Sequence, residues 1–193
     1  MSVFKTVEGG VLMSLAESLG PEDTAAAVIL SSMSSVAARQ NALLRPFAVP
    51  NASVASFDTP MPDVWAYNIA LTYVLPGSCA VEQRLPLLPT LLVENGVIAT
   101  ARPGDDVTFA WDAAARAAAA RSGRPLFIGW LNQVDAPVYS AVSPLGDGRG
   151  TTKAPSELSG TAFAVLTAQP GLTTMQDLTD ATLAGPVVVS FMQ

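Results

Sequence analysis

The chain has 193 residues, of which half are apolar and 13% are charged, and its formal net charge is −6. This composition excludes a disordered chain and supplies enough apolar side chains for a sizeable core. The acidic balance argues against a nucleic-acid partner, and no apolar run is long enough to span a membrane. With no histidine and one cysteine, Cys79, the sequence excludes a Ser-His-Asp or Cys-His system, a His/Cys zinc site and an internal disulfide. We therefore expect no cofactor and no metal.

Two long helices are predicted at the N-terminus. Residues 2–19 place apolar side chains on one face, which also carries Glu8. Leu19-Gly20-Pro21 is typical of a helix end followed at once by a helix start. The second helix is predicted to end at Arg45-Pro46, since a residue before proline is pushed out of the α region. The two helices should form an antiparallel hairpin.

The second helix carries a polar residue on its predicted core-facing stripe. That stripe recurs at steps of three and four as Ala26, Leu30, Met33, Ala37 and Leu44, and Gln40 falls on it. Glu8 of the first helix is expected to face the pair Ala37 and Gln40. A carboxylate facing two positions three apart is half of a di-iron bundle site, where the pair belongs to a Glu-x-x-His motif. Alanine cannot bind a metal, and an amide is a weak ligand.

The middle of the chain predicts a loop and a short helix. Residues 46–60 contain Asn51-Ala52-Ser53, a glycosylation acceptor if the chain is secreted. Asp58-Thr59 before Pro60 is typical of a turn that caps nearby backbone N–H groups. Residues 61–75 predict an apolar helix that carries Trp65.

About seven short strands are predicted after residue 76. Leu91–Val93 and Val97–Thr100 flank a turn at Glu94-Asn95-Gly96 and suggest a hairpin. The alanine-rich residues 112–124 predict either a helical insert or a mobile excursion. The other predicted strands are 107–111, 125–131, 136–142, 159–168 and 185–192. A glycine-rich hairpin loop is predicted within residues 144–152. This spacing favours an Ig-like antiparallel β-sandwich.

Four motifs occur in a fixed order: Val36-Ala37-Ala38-Arg39-Gln40, Phe57-Asp58-Thr59-Pro60, Ser78-Cys79, and the closing run from Leu183 to Val189. In these motifs the chain resembles the fungal ferritin-like stress-response proteins, whose fourth bundle helix ends in a run similar to Val-Glu-Ala-Arg-His. The resemblance implies an α+β protein: a helical region at 1–75, holding half of a ferritin-like bundle, and a β-sandwich domain at 76–193. It also implies a degenerate metal site, since Ala37 and Gln40 stand where the family has Glu and His. Ferroxidase activity is therefore predicted to be lost.

Two classes of function follow. The first is a metal-free relative of the stress-response proteins that acts as a structural or small-molecule-binding module. The second is a cofactor-independent isomerase or pericyclic cyclase that acts on an apolar specialised metabolite through preorganised binding. The residues expected to contact a ligand are Glu8, Met33, Arg39, Gln40 and Trp65. Arg39 would either pair with Asp58 or Glu8 or orient an anionic ligand.

The apolar face of the hairpin needs a cover. It either packs on the sandwich and the short helix, or pairs with a second copy of the chain as a homodimer, or belongs to a fragment of a longer protein. A full-length chain would be cytoplasmic, and a fragment of a longer family member would be secreted.

Overall fold

The computed structural model describes residues 2–48, 57–75, 78, 85–93 and 98–192. Asn51, Cys79 and the turn expected at 94–96 lie outside these ranges. The protein is mixed α+β, with two long helices at its N-terminus followed by a short helix and two β-sheets. The helices are α1 (Ser2–Glu17), α2 (Thr24–Ala48), α3 (Asp63–Leu71), α4 (Ala113–Ser122) and α5 (Met175–Asp180). The strands are β1 (Leu91–Val93), β2 (Ile98–Ala101), β3 (Asp106–Trp111), β4 (Phe127–Asn132), β5 (Val138–Ala141), β6 (Ser143–Gly146), β7 (Arg149–Lys153), β8 (Thr161–Thr167) and β9 (Thr182–Phe191).

The strands form two sheets that enclose the larger core. One sheet has the order β1-β3-β7-β6, and the other has the order β2-β9-β8-β4-β5. Aromatic rings from both sheets meet between them, where Trp130 contacts Phe109 and Phe191 edge-on. β2 and β9 run parallel, whereas the other pairs are antiparallel. The expectation of a wholly antiparallel sandwich is therefore corrected at this pair.

The predicted hairpin between the first two strands is wrong. β1 pairs with β3, with Leu91 opposite Trp111, and β2 pairs with β9, with Ile98 opposite Val188. The two strands therefore belong to different sheets, and the chain crosses from one sheet to the other between them. The glycine-rich stretch after residue 143 is a hairpin, as predicted: β6 and β7 pair in antiparallel fashion around a turn at Asp147-Gly148, where both residues have positive φ.

A second buried cluster lies on the outer face of the five-stranded sheet. There α1 supplies Val7, the segment before α3 supplies Met61, and α3 supplies Trp65 and Ile69. They pack on side chains of the sheet and of α5: Leu131, Phe163, Val165, Leu178 and Val188. Strands covered on both faces lose the alternation of apolar and polar residues, which explains the unbroken burial of most of β8 and β9. The cluster joins side chains from both sides of residue 75, and the domain division there stays a prediction.

Thr59 fastens the segment before α3 to the same sheet. Its hydroxyl donates to the carbonyl of Thr161 at 3.0 Å and accepts from the N–H of Gln133 at 2.8 Å. The N–H of Phe57 donates to the side-chain oxygen of Gln133 at 3.2 Å. We expected Thr59 to cap backbone groups nearby in sequence, but it bonds to groups more than 70 residues away. The Phe-Asp-Thr-Pro motif is thus an anchor between the helical region and the sheet.

One of two adjacent glycines in α1 lets the helix approach this anchor closely. A Cβ atom on Gly10 would lie 2.4 Å from the carbonyl oxygen of Thr59 and 3.0 Å from Cβ of Met61. A Cβ atom on Gly9 would meet only the Asp58 carboxyl group, at 3.7 Å or more. The helix therefore needs the missing side chain at Gly10 and not at Gly9.

These two glycines make a matched pair of substitutions. Gly9→Ala should raise the free energy of unfolding by about 0.5–1 kcal/mol, because alanine favours the helix and leaves room for its methyl group. Gly10→Ala should lower it by about 1–3 kcal/mol, because the methyl group collides with backbone that cannot move aside cheaply. Urea denaturation followed by circular dichroism checks both signs. If the two substitutions changed the free energy of unfolding by the same amount and with the same sign, the close approach at Gly10 would be contradicted.

Helix α2 continues past the proline that was expected to end it. It runs from Thr24 to Ala48 and contains Pro46. A proline near a helix C-terminus removes one hydrogen bond and clashes with a single upstream carbonyl, which a terminal turn tolerates better than a central one. The start is also later than predicted: the N–H of Gly20 donates to the carboxylate of Asp23, and the carbonyl of Asp23 accepts from Ala27. Asp23 therefore closes the turn and precedes the helix.

Asp112 caps α4 and ties it to β1. Its carboxylate accepts from the N–H groups of Ala115 at 2.9 Å and Thr90 at 2.8 Å. Burial raises its pKa, but backbone hydrogen bonds from Ala115, Thr90 and Ala114 lower it by more, so that the pKa lies below its usual value. The ionised form is therefore the one that stabilises the fold.

Asp112→Ala should lower the free energy of unfolding by about 0.5–2 kcal/mol at neutral pH, as expected for the loss of a helix cap. Because the pKa is depressed in the folded state, the stabilisation is present above the unfolded-state pKa of about 4 and is lost as the pH falls through the folded-state value. The difference in the free energy of unfolding between wild type and Asp112→Ala should therefore become smaller below about pH 4. A difference in the free energy of unfolding that grows in acid would contradict this account.

Candidate functional site on the outer helix

Helix α2 is the outermost layer, and one of its faces packs on α1. The two helices run in opposite directions, since the Asn41 side chain near the end of α2 donates to the Thr6 hydroxyl near the start of α1 at 3.0 Å. The inward positions recur at steps of three and four and are buried or half-buried: Leu30, Ser34, Ala37, Asn41 and Leu44. The predicted helical hairpin therefore exists, with α1 between α2 and the sheet.

A second apolar stripe on α2 faces away from α1. We call it the outer stripe, and it consists of Ile29, Met33, Val36, Gln40, Leu43 and Phe47. Its residues are spaced four, three, four, three and four apart. The exposed fractions of Ile29, Leu43 and Phe47 are 59%, 73% and 87%, and Met33 and Val36 are also exposed. A row of five large exposed apolar residues on one helix is unusual for a surface that only meets water.

The sequence analysis merged the two stripes into one. Each outer-stripe residue up to Leu43 directly precedes an inward residue, so the two rows are about 100° apart around the helix. Met33 and Gln40 were assigned to the core-facing row together with Ala37, but both are exposed and belong to the outer stripe. The polar residues on the inward row are Ser34 and Asn41, and the Asn41 side chain donates to the Thr6 hydroxyl. Asn41 was missed because its neighbour Gln40 fits the same three-and-four spacing.

The other expected ligand-contacting residues lie apart from one another. The Glu8 carboxylate pairs with the Lys5 ammonium at 2.6 Å within α1. Arg39 is exposed on α2. Trp65 is fully buried between α3 and the five-stranded sheet. An exposed Gln40 and a fully buried Trp65 do not line one enclosed pocket, and the structure does not bring these five residues together. Their roles as ligand contacts stay predictions.

Trp65 has one unusual feature. Its indole N–H is buried and has no acceptor within the part of the chain that the structure describes. A buried donor without a partner costs about 1–3 kcal/mol, which the large apolar contact area of the ring offsets. Trp65 belongs to the packed cluster of α3 and the five-stranded sheet, so its fully buried ring contributes to packing rather than to an open site.

The predicted degenerate metal position contains one buried and one exposed residue. Ala37 is buried against α1, and Gln40 is exposed. Among the described residues, no group of three or more His, Cys, Asp or Glu side chains could hold a metal ion. The absence of a metal and a cofactor stays a prediction.

A groove of about 310 Å³ lies between α3 and the start of β1. Leu71, Leu88 and Pro186 form apolar parts of its wall. The amide of Asn68 at its edge already donates to Val64 and Pro86 and accepts from Leu88. These bonds hold the wall in place and leave that amide little capacity to orient a ligand. The groove therefore ranks below the outer stripe as a binding surface.

Burial raises the pKa of the Tyr139 phenol, with a further contribution in the same direction from Asp177, while the hydroxyl donates to the carbonyl of Leu172 at 3.0 Å. This half-buried phenol stays neutral at physiological pH and supports the packing of β5 on the segment before α5. It lies on the sheet side of the molecule rather than on α2.

No helix within the described ranges combines the length and the hydropathy that a membrane span requires. No protein-family model matches the chain, and a search of curated proteins finds no match. The outer stripe of α2 is thus the candidate functional site on structural grounds alone.

Proposed function

We propose that this protein is a metal-free, ferritin-like stress-response-type protein that acts as a non-enzymatic interaction module, and that the outer stripe of α2 is its binding surface. The single observation that carries the proposal is a row of six exposed side chains, five of them large and apolar, at alternating steps of three and four along one helix. Such a row is the surface that an amphipathic helix binds. A hairpin with one open apolar face also corresponds to half of a four-helix bundle.

The rest of the fold is suited to a scaffold. The nine strands can be lettered along the chain as A, A′, B, C, C′, D, E, F and G. The two sheets then have the strand orders A-B-E-D and A′-G-F-C-C′, which correspond to those of an Ig-like sandwich. The buried Trp130 on β4 occupies the strand C position where such sandwiches hold a tryptophan. This correspondence supports the finer Ig-like assignment. The helices cover the five-stranded sheet, and α2 is held out from it by α1.

The enzyme alternative has less support. A cofactor-free cyclase needs a substrate pocket whose shape and polar groups are preorganised. Its candidate residues Arg39 and Gln40 are exposed on α2, whereas Trp65 is fully buried elsewhere. We therefore propose binding rather than catalysis.

The test is the binding of a defined helix to the outer stripe. The probe is a fluorescein-labelled synthetic amphipathic helix of four heptads with leucine at positions a and d, followed by fluorescence anisotropy. Wild type should bind it saturably. Leu43→Glu should weaken binding at least about tenfold, because a carboxylate within the apolar contact must be desolvated.

The chain offers a matched control for this variant. Val28 is 66% exposed on the same helix but lies outside the outer stripe. Val28→Glu adds the same charge and should leave the affinity for the probe within about twofold of wild type, because its side chain stays in water. Equal loss in both variants, or no binding by wild type, would overturn the proposed function.

A further inference from the structure

We propose that Met33 is a site of reversible oxidation by hydroperoxides, and that its sulfoxide form weakens binding at the outer stripe. This inference rests on the proposed function and adds a means of regulating the same surface. It holds for any partner that covers the outer stripe with apolar side chains, because the chemical change lies in the stripe itself.

Met33 is the most exposed methionine in the part of the chain that the structure describes. Its exposed fraction is 45%, whereas Met61 is fully buried and Met13, Met175 and Met192 are half-buried. A hydroperoxide must reach the thioether sulfur to react with it, so exposure decides which methionine reacts first. Met33 is therefore the expected first site of oxidation among these residues.

The position of Met33 makes the polarity of its side chain important for binding. It lies four residues after Ile29 and three before Val36, and all three side chains are exposed in the outer stripe. Gln40 follows Val36 by four residues and is the polar member of the stripe. A second polar group at position 33 would leave Val36 between two polar neighbours and would separate Ile29 from the apolar residues at the other end of the stripe.

The reaction transfers one oxygen atom to sulfur. A lone pair of the Met33 sulfur attacks one oxygen of hydrogen peroxide, an S–O bond forms, and the O–O bond breaks. The leaving hydroxide takes the proton from the transferred oxygen and departs as water, so that the sulfur is oxidised by two electrons and the peroxide is reduced. Methionine sulfoxide reductases reverse the change with thiols as reductant: two thiols become a disulfide, and the oxygen leaves as water.

The sulfoxide is polar, whereas the thioether is a flexible apolar group that adapts to a facing surface. The neighbours of Met33 in the outer stripe, Ile29 and Val36, have hydrocarbon side chains that offer no hydrogen-bond donor. An apolar partner that covers the stripe would remove water from the sulfoxide oxygen without replacing its hydrogen bonds. Oxidation should therefore weaken binding about tenfold.

Graded exposure to hydrogen peroxide, followed by peptide mass spectrometry, tests the site. The protein carries Cys79→Ser, so that thiol oxidation does not contribute. Met33 should be oxidised at least about tenfold faster than the fully buried Met61, and ahead of every other methionine in the described ranges. Earlier oxidation of any of these would overturn the assignment of Met33 as the modification site.

Binding of the leucine helix probe tests the consequence of oxidation. The probe contains no methionine or cysteine, the peroxide is removed before the probe is added, and each protein is compared with itself before and after oxidation. The Cys79→Ser parent should lose about tenfold in affinity and regain it after treatment with both methionine sulfoxide reductases, one for each sulfoxide epimer. Met33→Leu should change by less than about twofold on exposure to peroxide, because leucine cannot form a sulfoxide.

Met13→Leu is the matched control, since it removes a methionine of α1 outside the outer stripe. It should lose affinity on oxidation as the parent does. Circular dichroism should stay unchanged on oxidation, because the Met33 side chain is exposed. Undiminished binding after oxidation of Met33, an equal loss in Met33→Leu, or a loss of helix that accompanies the loss of affinity would overturn the inference and leave the proposed function standing. Absence of probe binding before oxidation would overturn both.

Discussion

Trp130→Ala should lower the free energy of unfolding by about 3–5 kcal/mol. Trp130 is fully buried at the centre of the larger core. Its ring centroid lies 5.8 Å from that of Phe109 and 6.1 Å from that of Phe191, both edge-on. The substitution leaves a cavity between two sheets whose strands cannot easily close it. Equilibrium denaturation in urea, followed by far-UV circular dichroism, measures the loss.

Trp130→Phe is the control for this prediction. It keeps an aromatic ring in the same place but removes the indole N–H, which donates to the Ser140 hydroxyl at 3.2 Å. We expect it to cost clearly less than Trp130→Ala, because most of the stabilisation comes from buried apolar area rather than from the hydrogen bond. A loss below about 1 kcal/mol in the alanine variant would contradict the central position of Trp130 between the sheets.

Trp65→Ala should loosen the helical layer more than the sandwich. Trp65 is fully buried and lies in the cluster through which α1 and α3 pack on the five-stranded sheet. Removing its ring should cost about 3–5 kcal/mol in the stability of that contact. Since α2 packs on α1, both N-terminal helices depend on the contact between this cluster and the five-stranded sheet. Amide hydrogen exchange should therefore rise in α1, α2 and α3 well before it rises in β4, β8 and β9.

The unpartnered indole N–H gives this prediction a matched control. Trp65→Phe removes a donor that has no acceptor within the described residues, so no hydrogen bond is lost. Its cost should come from the smaller ring alone and should fall well below that of the alanine variant. Faster exchange spread equally over helices and strands in Trp65→Ala would show that the two layers unfold as one unit.

The helices and most strands could be predicted from local patterns. The helical spacing of apolar residues predicted α1 and α2, and the run of alanines after Asp112 predicted α4. Strand pairing could not be predicted in the same way, because β2 finds its partner β9 about 90 residues later in the chain. A short turn between two short apolar runs is as compatible with a hairpin as with two strands in different sheets. Only the pairing with the rest of the sheets decides between these two arrangements.

To locate the candidate site one must know which face of α2 packs on α1, and the sequence leaves this open. α2 carries two rows of residues with the same spacing, one residue apart, and the row that faces α1 is decided by tertiary contacts. Gly10 allows α1 to approach the anchor at Thr59, and the bond from Asn41 to Thr6 fixes which side of α2 faces inward. The outer stripe then remains exposed. Without the position of α1, Gln40 and Asn41 are equivalent candidates for the inward row.

Hydrogen exchange with the helix probe at saturation tests the binding surface most directly. The account predicts slower exchange for α2 between residues 29 and 47, with smaller changes in α1 and none in the β-sandwich, because the bound helix stabilises the side of α2 that faces water. Slower exchange confined to the groove beside α3, or no change in α2, would contradict the claim that the outer stripe is where this protein binds its partner.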